Sequence, residues 1–466
     1  MRAPVQTSHI GSGTNLRSRS GPRFLLPFTA AILLIALLFG GAGINYPLLA
    51  AAIEIGSIIL LWYIAVHGGG SSTGNARLPS AFALLVVLVP VVQLIPLPPA
   101  IWTQLPGREI SNQVLVLTGL AAKWRPISLE PAATLRSALA LLPGLALFFA
   151  TLRLPEESRV RLVHIVIAVA VFSAVLGTMQ KAGGGVGLLS LYPSDHSSNA
   201  PGLFINRNHQ ATFLLIAILM TAAAARAGLP RVSSSLRTAL ALGIISLFAG
   251  GVVATTSRTG FALLPLVLIA ALPILVATRL SLLAIACATI LAAGAALTAF
   301  FSSGAGVVLA RFSNVTDERI LFWQDANVAI AQFWPFGSGL GTWVRVYPIF
   351  ESLDVLGPTI VNNAHNDYLE LVLEAGALAL VPLLLFVGYY LFGFARVLNS
   401  VRRGRPATMG VAAGFAILLV MLHSIVDYPL RMLSIQAIFG LLSALLVMSV
   451  SASALPKPTR SQGRGN

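Results

Sequence analysis

Polar and apolar residues separate along this chain in long blocks, not in short alternation. Apolar runs of about 17–25 residues, the length an α-helix needs to cross a bilayer, recur throughout. They fall at roughly 24–43, 47–66, 80–98, 134–152, 162–180, 210–227, 238–256, 259–278, 281–301, 370–395, 409–427 and 432–452. The pattern predicts an all-α, polytopic membrane protein of about twelve transmembrane helices. Most connections between runs are short, which makes successive helices antiparallel. Three segments on one side are long: 99–133, 181–209 and, largest, 302–369 between spans nine and ten. Structureless loops beyond about 15 residues are uncommon in compact proteins. The third contains the amphipathic stretch ERILFWQDANVAIAQFW and several aromatics, so it is expected to be folded.

Composition agrees: 56% of the 466 residues are hydrophobic, 10% are charged, and mean hydropathy is +0.86. The net charge of +15 could suggest a nucleic-acid partner, but its placement points elsewhere. With a cytoplasmic N-terminus, 19 of the 30 basic residues, from Arg2 to Arg464, fall on the inner side. The other 11 (30 − 19) fall outside, with 12 of the 15 acidic residues. This is the positive-inside asymmetry; the charge reports orientation, and nucleic acid is not an expected partner. The expected layout is a basic cytoplasmic tail at 1–23, spans one to nine within 24–301, the loop 302–369, spans ten to twelve within 370–452, and a cytoplasmic tail at 453–466. Because a second span follows closely, the first reads as a retained signal-anchor helix, not a cleaved leader. The lone Cys287 lies in an apolar run, so neither a disulfide framework nor a thiolate metal site is available.

Polar residues concentrate on the outer side. VNNAHNDYLELVLEAG (361–376) is the densest case. Asp367 and Glu370 have capping-box spacing, and Asn362, Asn363 and Asn366 suit the turn before a helix. Capping gives no role to His365. Asp367, Glu370 and Glu374 recur at i, i+3, i+7, one face of a helix, and an acidic stripe entering a membrane calls for a cavity or a basic partner. In TTSRTG, Arg258 reads either as a snorkelling side chain that ends a helix or as an anion ligand. Arg319 follows Asp317 and Glu318 and reads either as a local ion pair or as a second anion ligand. Gly337, Gly339 and Gly341 read as a tight turn. GLFINRNHQATF supplies Asn206, Arg207, Asn208 and His209, and HSIVDYPLR supplies His423, Asp427 and Arg431; each set suits caps or interfacial anchors, and together they add polar groups to one rim.

In this order, GLFINRNHQATF, TTSRTG, ERILFWQDA with PFGSGLGTW, NNAHNDYLELVLEAGALA and HSIVDYP resemble the O-antigen ligase and polymerase family, over the C-terminal 270 residues or so. The loop WRPISLEPAATLR is also similar to that family. The resemblance implies a multi-pass glycosyltransferase of the bacterial inner membrane with a periplasmic active face. Such an enzyme takes a glycan from undecaprenyl diphosphate and passes it to an acceptor hydroxyl, on the lipid A core for a ligase or on another lipid-linked repeat for a polymerase. It also implies a metal-independent reaction without cofactor. By position, Arg258 and Arg319 match the family's diphosphate-binding arginines and His365 its essential loop histidine. Asn206, Arg207, Asn208, Asn366, Asp367, Glu370 and Asp427 are expected to support them.

The chemistry is consistent with those roles. A sugar on a diphosphate already carries a good leaving group, so charge stabilisation by two arginines matters most. The acceptor hydroxyl needs a base near neutral pH, which histidine supplies. Direct attack would invert the anomeric carbon, and no Asp-x-Asp motif or metal-spaced histidine cluster is present in the sequence. A transporter of anions or small solutes is the rival of another class; it would place its polar groups at the midplane, on broken helices.

Overall fold

The computed structural model describes residues 23–67, 76–185, 189–192, 199–227, 232–275, 318–353, 357, 360–403 and 407–454. The expected ninth span, most of the last turn of the eighth, Asp317 and Cys287 lie outside these residues. The described helices are α1 (Leu25–Phe39), α2 (Pro47–His67), α3 (Arg77–Leu94), α4 (Pro99–Trp102), α5 (Glu109–Leu117), α6 (Pro131–Ala140), α7 (Leu142–Arg153), α8 (Glu156–Ala182), α9 (Arg207–Ala227), α10 (Ser234–Ala254) and α11 (Arg258–Leu275). They continue with α12 (Glu318–Phe333), α13 (Trp343–Val346), α14 (Asp367–Ala375), α15 (Ala377–Arg402), α16 (Thr408–His423) and α17 (Leu433–Ala454). Among the described residues, ten candidate spans are long and apolar enough to cross a membrane, with α6 and α7 forming one between them; α16 is a shorter apolar helix. The chain is thus a polytopic all-α membrane protein. Among the described residues two short strands, β1 (Pro96–Leu97) and β2 (Arg125–Pro126), pair antiparallel as a clip within the segment after α3.

The bundle centres on α9, which is buried without interruption from His209 to Ala224 and packs against α8, α10, α11 and α16. Lipid tails are as apolar as leucine, so helices in a bilayer associate by close packing, and small residues allow it. The run TAAAARA in α9 serves this purpose. So does the crossing of α7 and α17, where a Cβ on Gly440 would collide with the Gly144 carbonyl.

One expected span divides in two. The apolar run at 370–395 breaks at Gly376, which has φ +55°; a side chain there would strike the Pro335 carbonyl. The acidic stripe therefore lies on α14, a separate nine-residue helix ahead of the span α15. The Gly337–Gly341 turn fills the notch: Gly339 N–H donates to the Glu374 carbonyl at 2.8 Å, and Ala377 N–H to Pro335 at 2.8 Å. All three glycines have positive φ, so the tight-turn reading holds.

The described parts of the 99–133 and 302–369 segments pack on each other at this end of the bundle. Helix α12, the amphipathic stretch, packs on α14 through Ala326, Ala329, Phe333 and Leu373, with Trp343 and Tyr347 stacked beside them at 4.5 Å. Arg108 staples the two segments together. It is fully buried, donates to the carbonyls of Pro106, Ile127 and Gly337, and lies 5.5 Å over the Phe333 ring. Burial lowers its pKa to about 10, with Glu109 opposing, and the guanidinium stays charged at neutral pH. Arg108→Ala strands three carbonyls and should cost roughly 3 kcal/mol, from about 1–3 kcal/mol for each buried group left unpaired. Thermal unfolding in detergent would read this as a clear loss of Tm, whereas an unchanged Tm would contradict it.

Candidate active site

The segment leading to His365 is held from outside by two indoles. Trp343 Nε1 donates to the Val361 carbonyl at 2.9 Å, and Trp323 Nε1 to Ala364 at 3.0 Å. From inside, Glu370 accepts from Ala364 N–H at 2.9 Å and from Asn363 Nδ2 at 3.0 Å. The N-cap of α14 is Asn366, whose side chain accepts from the N–H groups of Tyr368 and Leu369. The capping box expected of Asp367 and Glu370 is thus replaced by an asparagine cap, with Glu370 reaching back past it. His365, one residue earlier, adopts φ +50°, a left-handed conformation uncommon for a residue with a side chain.

That conformation sets the imidazole against Asp427. His365 Nδ1 lies 3.4 Å from Oδ1, and the ring is 23% exposed while Asp427 is fully buried. Two more imidazoles converge on the same carboxylate, His209 Nε2 at 3.8 Å and His423 Nε2 at 4.0 Å. Asn208 Nδ2 donates to its other oxygen at 2.6 Å, and Thr212 Oγ1 lies 2.6 Å from His423 Nδ1. Tyr428 fills the space between His209 and His365, each ring meeting it edge-on at 5.0 Å. Burial alone would raise the Asp427 pKa. Contact with His365 and the nearby His209 and His423 outweigh it and hold the carboxyl well below the usual range. Asp427 is therefore an anion around which histidines are arranged.

The acidic stripe has the basic partner its spacing calls for. Arg431 Nη2 lies 3.0 Å from both Glu370 and Glu374, and its Nε lies 3.8 Å from Asp367. Asp367 also accepts from Ser424 Oγ at 2.8 Å. Thus Asp367 and Glu370 face Arg431, and the carboxylate against His365 is Asp427. One guanidinium cannot offset two buried carboxylates and a third that is nearly so. Burial raises Asp367 to about 7 and Glu370 to about 8 against the opposing pull of Arg431, with Asp427 and Glu374 respectively adding to the rise. Arg431, which burial alone would lower, is held above its usual value by Glu370, Glu374 and Asp367.

The sign of the pH dependence follows. Both acids bind protons more tightly folded than unfolded, so their contribution to stability is complete below about 4 and is lost as pH rises through about 7 to 8. Each group changes stability by at most about 1.4 kcal/mol per pH unit in that window. Tm is expected to fall between pH 5 and 8, and Glu370→Gln should flatten that fall; an equal slope in the variant would reject the assignment.

The arginines come from the other flank. Arg319, on the first turn of α12, donates through Nη1 to the Val426 carbonyl, next to Asp427. Arg258 opens α11, whose first turn packs on that of α9 where Gly260 meets Ala211. The turn before it is fixed by cations: Lys181 Nζ donates to the Ala254 carbonyl at 2.8 Å, and Arg207 Nη1 to Thr256 Oγ1 at 3.3 Å. A cavity of about 620 Å³ is walled by His365, Asn206, Asn362, Asp367, Glu370 and Arg431 among others, and Arg258 and Arg319 are not part of its lining. His365 thus borders a cavity whose lining mixes carboxyls and amides with apolar side chains such as Leu141, Trp343 and Met432. Sequence reasoning passed over Tyr428, Thr212 and Arg108, which have meaning only through contacts with distant segments.

These features define a polytopic membrane protein with a folded polar site at one end of its helices. Residues 242–384 match the model of the O-antigen ligase family, and that stretch includes Arg258, Arg319, His365 and the whole of α14. The match supports a membrane glycosyltransferase-like role in polysaccharide biosynthesis. No curated protein matches the chain.

Proposed function

We propose that this chain transfers a glycan from undecaprenyl diphosphate to an acceptor hydroxyl, at the periplasmic face of a bacterial inner membrane, as an O-antigen ligase. The observation that carries the reading is His365, with Nδ1 against a buried carboxylate at 3.4 Å and its ring on the wall of the cavity. With Nδ1 turned toward the carboxylate, Nε2 serves the acceptor. It takes the hydroxyl proton as the acceptor oxygen bonds to the anomeric carbon and the bond from that carbon to the phosphate oxygen breaks. Undecaprenyl diphosphate leaves with the electron pair, and Arg258 and Arg319 stabilise its charge. Attack from the side opposite the leaving group inverts the carbon, and no metal is required. The cavity suits the sugar of the acceptor, because its carboxyls and amides can exchange hydrogen bonds with hydroxyls, and Arg431, the guanidinium in its lining, is already engaged by Glu370 and Glu374 at 3.0 Å.

The test is transfer by the purified chain in nanodiscs, from undecaprenyl-diphosphate-linked glycan to lipid A core or to a second lipid-linked repeat. Transfer to the core alone supports the ligase; chain extension makes it a polymerase; movement of solute without transfer makes it a transporter. Within this assay Arg258→Lys and Arg319→Lys should each lower the rate by about 10–10²-fold. Lysine keeps the charge but loses the planar fork, and outright loss of a stabilising donor costs about 10²–10³-fold. Near-normal rates in both variants would remove the arginines from the diphosphate site.

A further inference from the structure

The far end of the bundle holds a second cavity, about 420 Å³, between α15 and α17. Its wall on α15 is formed by Phe392, Ala395, Arg396, Asn399, Ser400 and Arg403, and Ser453 of α17 closes the other side. The α15 positions are spaced i, i+3, i+4, i+7, i+8, i+11, a single helix face. Helix α15 begins at the His365 end, and 26 residues at 1.5 Å each carry Arg402 about 39 Å away. This cavity is therefore separate from the site described above.

Its charge is uncompensated. Among the described residues no carboxylate pairs with Arg396 or Arg403, and α15, α16 and α17 contain no aspartate or glutamate. The chain segments adjoining these helices, 404–406 and 455–466, add Arg405, Lys457, Arg460 and Arg464 and no acidic side chain. Neutralising the macrodipole at the end of α15 accounts for a cation near its last turn; it does not call for two guanidiniums on one cavity beside an asparagine and two serines. A row of every fourth residue, from Phe392 through Gly388 to Leu384, runs obliquely along the helix toward the membrane interior as an open apolar track. Phe392 is 61% and Leu384 67% exposed, and between them Gly388 has nothing within 4 Å of where a Cβ would sit. Arg396 to Leu384 spans 12 residues, about 18 Å, close to the half-thickness of about 15 Å of a hydrocarbon core.

We propose that this cavity binds an anionic glycerophospholipid, with its phosphate between Arg396 and Arg403 and an acyl chain along Phe392, Gly388 and Leu384. Guanidinium forks suit phosphate oxygens, and basic pockets between membrane helices are suited to anionic headgroups. A zwitterionic lipid would bring an ammonium group into a site with no anion of its own. A free phosphate would leave the apolar track unused.

The experiment is native mass spectrometry of the delipidated full chain, titrated with dioleoyl phosphatidylglycerol or, separately, with the phosphatidylcholine of the same chains. Thermal shift with inorganic phosphate is the third arm. One phosphatidylglycerol should bind well before the rest. Arg396→Gln with Arg403→Gln should weaken it by about tenfold or more, as expected for removal of two basic side chains at an anionic headgroup. Arg402→Gln, on the same turn but outside the cavity lining, should leave binding unchanged. The double lysine variant should fold and retain part of the affinity; if the double glutamine variant does not fold, the single Arg396→Gln is compared with it. Equal affinity for phosphatidylcholine, binding insensitive to the cavity arginines, or an equal loss with Arg402→Gln overturns the proposal. Stabilisation by inorganic phosphate with no preference among lipids replaces the lipid by a free anion.

Discussion

His365→Gln should lose glycan transfer by about 10²–10⁴-fold, the contribution of a general base, while the protein still folds and inserts. Glutamine can place an amide donor beside Asp427, now 3.4 Å from Nδ1, but cannot accept the acceptor's proton. The competing view is that His365 only shapes the junction before α14. Its left-handed backbone, φ +50°, provides a clean test, because asparagine tolerates that conformation better than most residues. If His365 were structural, His365→Asn would keep the junction, the Asn366 cap and nearly full activity. As a base, it would be as inactive as glutamine with an unchanged Tm. Rates within threefold of the parent in both variants would transfer the proton to another group.

How much of this was legible in the sequence depends on the range of the interactions. The spans were readable because bilayer thickness imposes a minimum apolar length, a local property of the chain. The acidic stripe was readable too: Asp367, Glu370 and Glu374 share a helix face, and polar groups on an apolar helix need a partner or a cavity. They have both, in Arg431 and the cavity it lines. Which arginine would answer them was not readable, since Arg431 pairs with Glu374 from 57 residues away. The break at Gly376 was hidden for the same reason. Its cause is the Pro335 carbonyl, brought there by the glycine turn, and within 370–395 alone the apolar pattern runs on unbroken. Arg108 left no trace beyond a lone arginine in a polar loop, and its burial depends on carbonyls from three separate segments. Local period reveals the helices, whereas the geometry around Asp427 comes from α9, α16 and the 361–366 segment meeting in space.

That meeting point gives the other large expected effect. Asp427→Asn should lower the maximal rate by about 10²–10⁴-fold, the range seen when an imidazole base loses its proton or its orienting carboxylate, with little change in the apparent affinity for either lipid substrate. The carboxylate only accepts hydrogen bonds, so it favours the form of His365 that carries a proton on Nδ1 and leaves Nε2 free. An asparagine amide can present a donor instead, which would favour the opposite tautomer and aim the protonated nitrogen at the acceptor. Asn208, which donates to Asp427 at 2.6 Å, can still donate to the asparagine oxygen, so the fold should survive. A structural role and an orienting role separate in the pH dependence of stability. Because Asp427 titrates well below its ordinary value, its stabilising effect is present above about 4 and is lost as pH falls. The Tm difference between parent and Asp427→Asn should therefore be largest near neutrality and shrink in acid, while the rate defect persists at every pH where the parent is active. A variant with a normal maximal rate and only a lowered Tm would make Asp427 a packing anchor and leave the orientation of His365 to another residue.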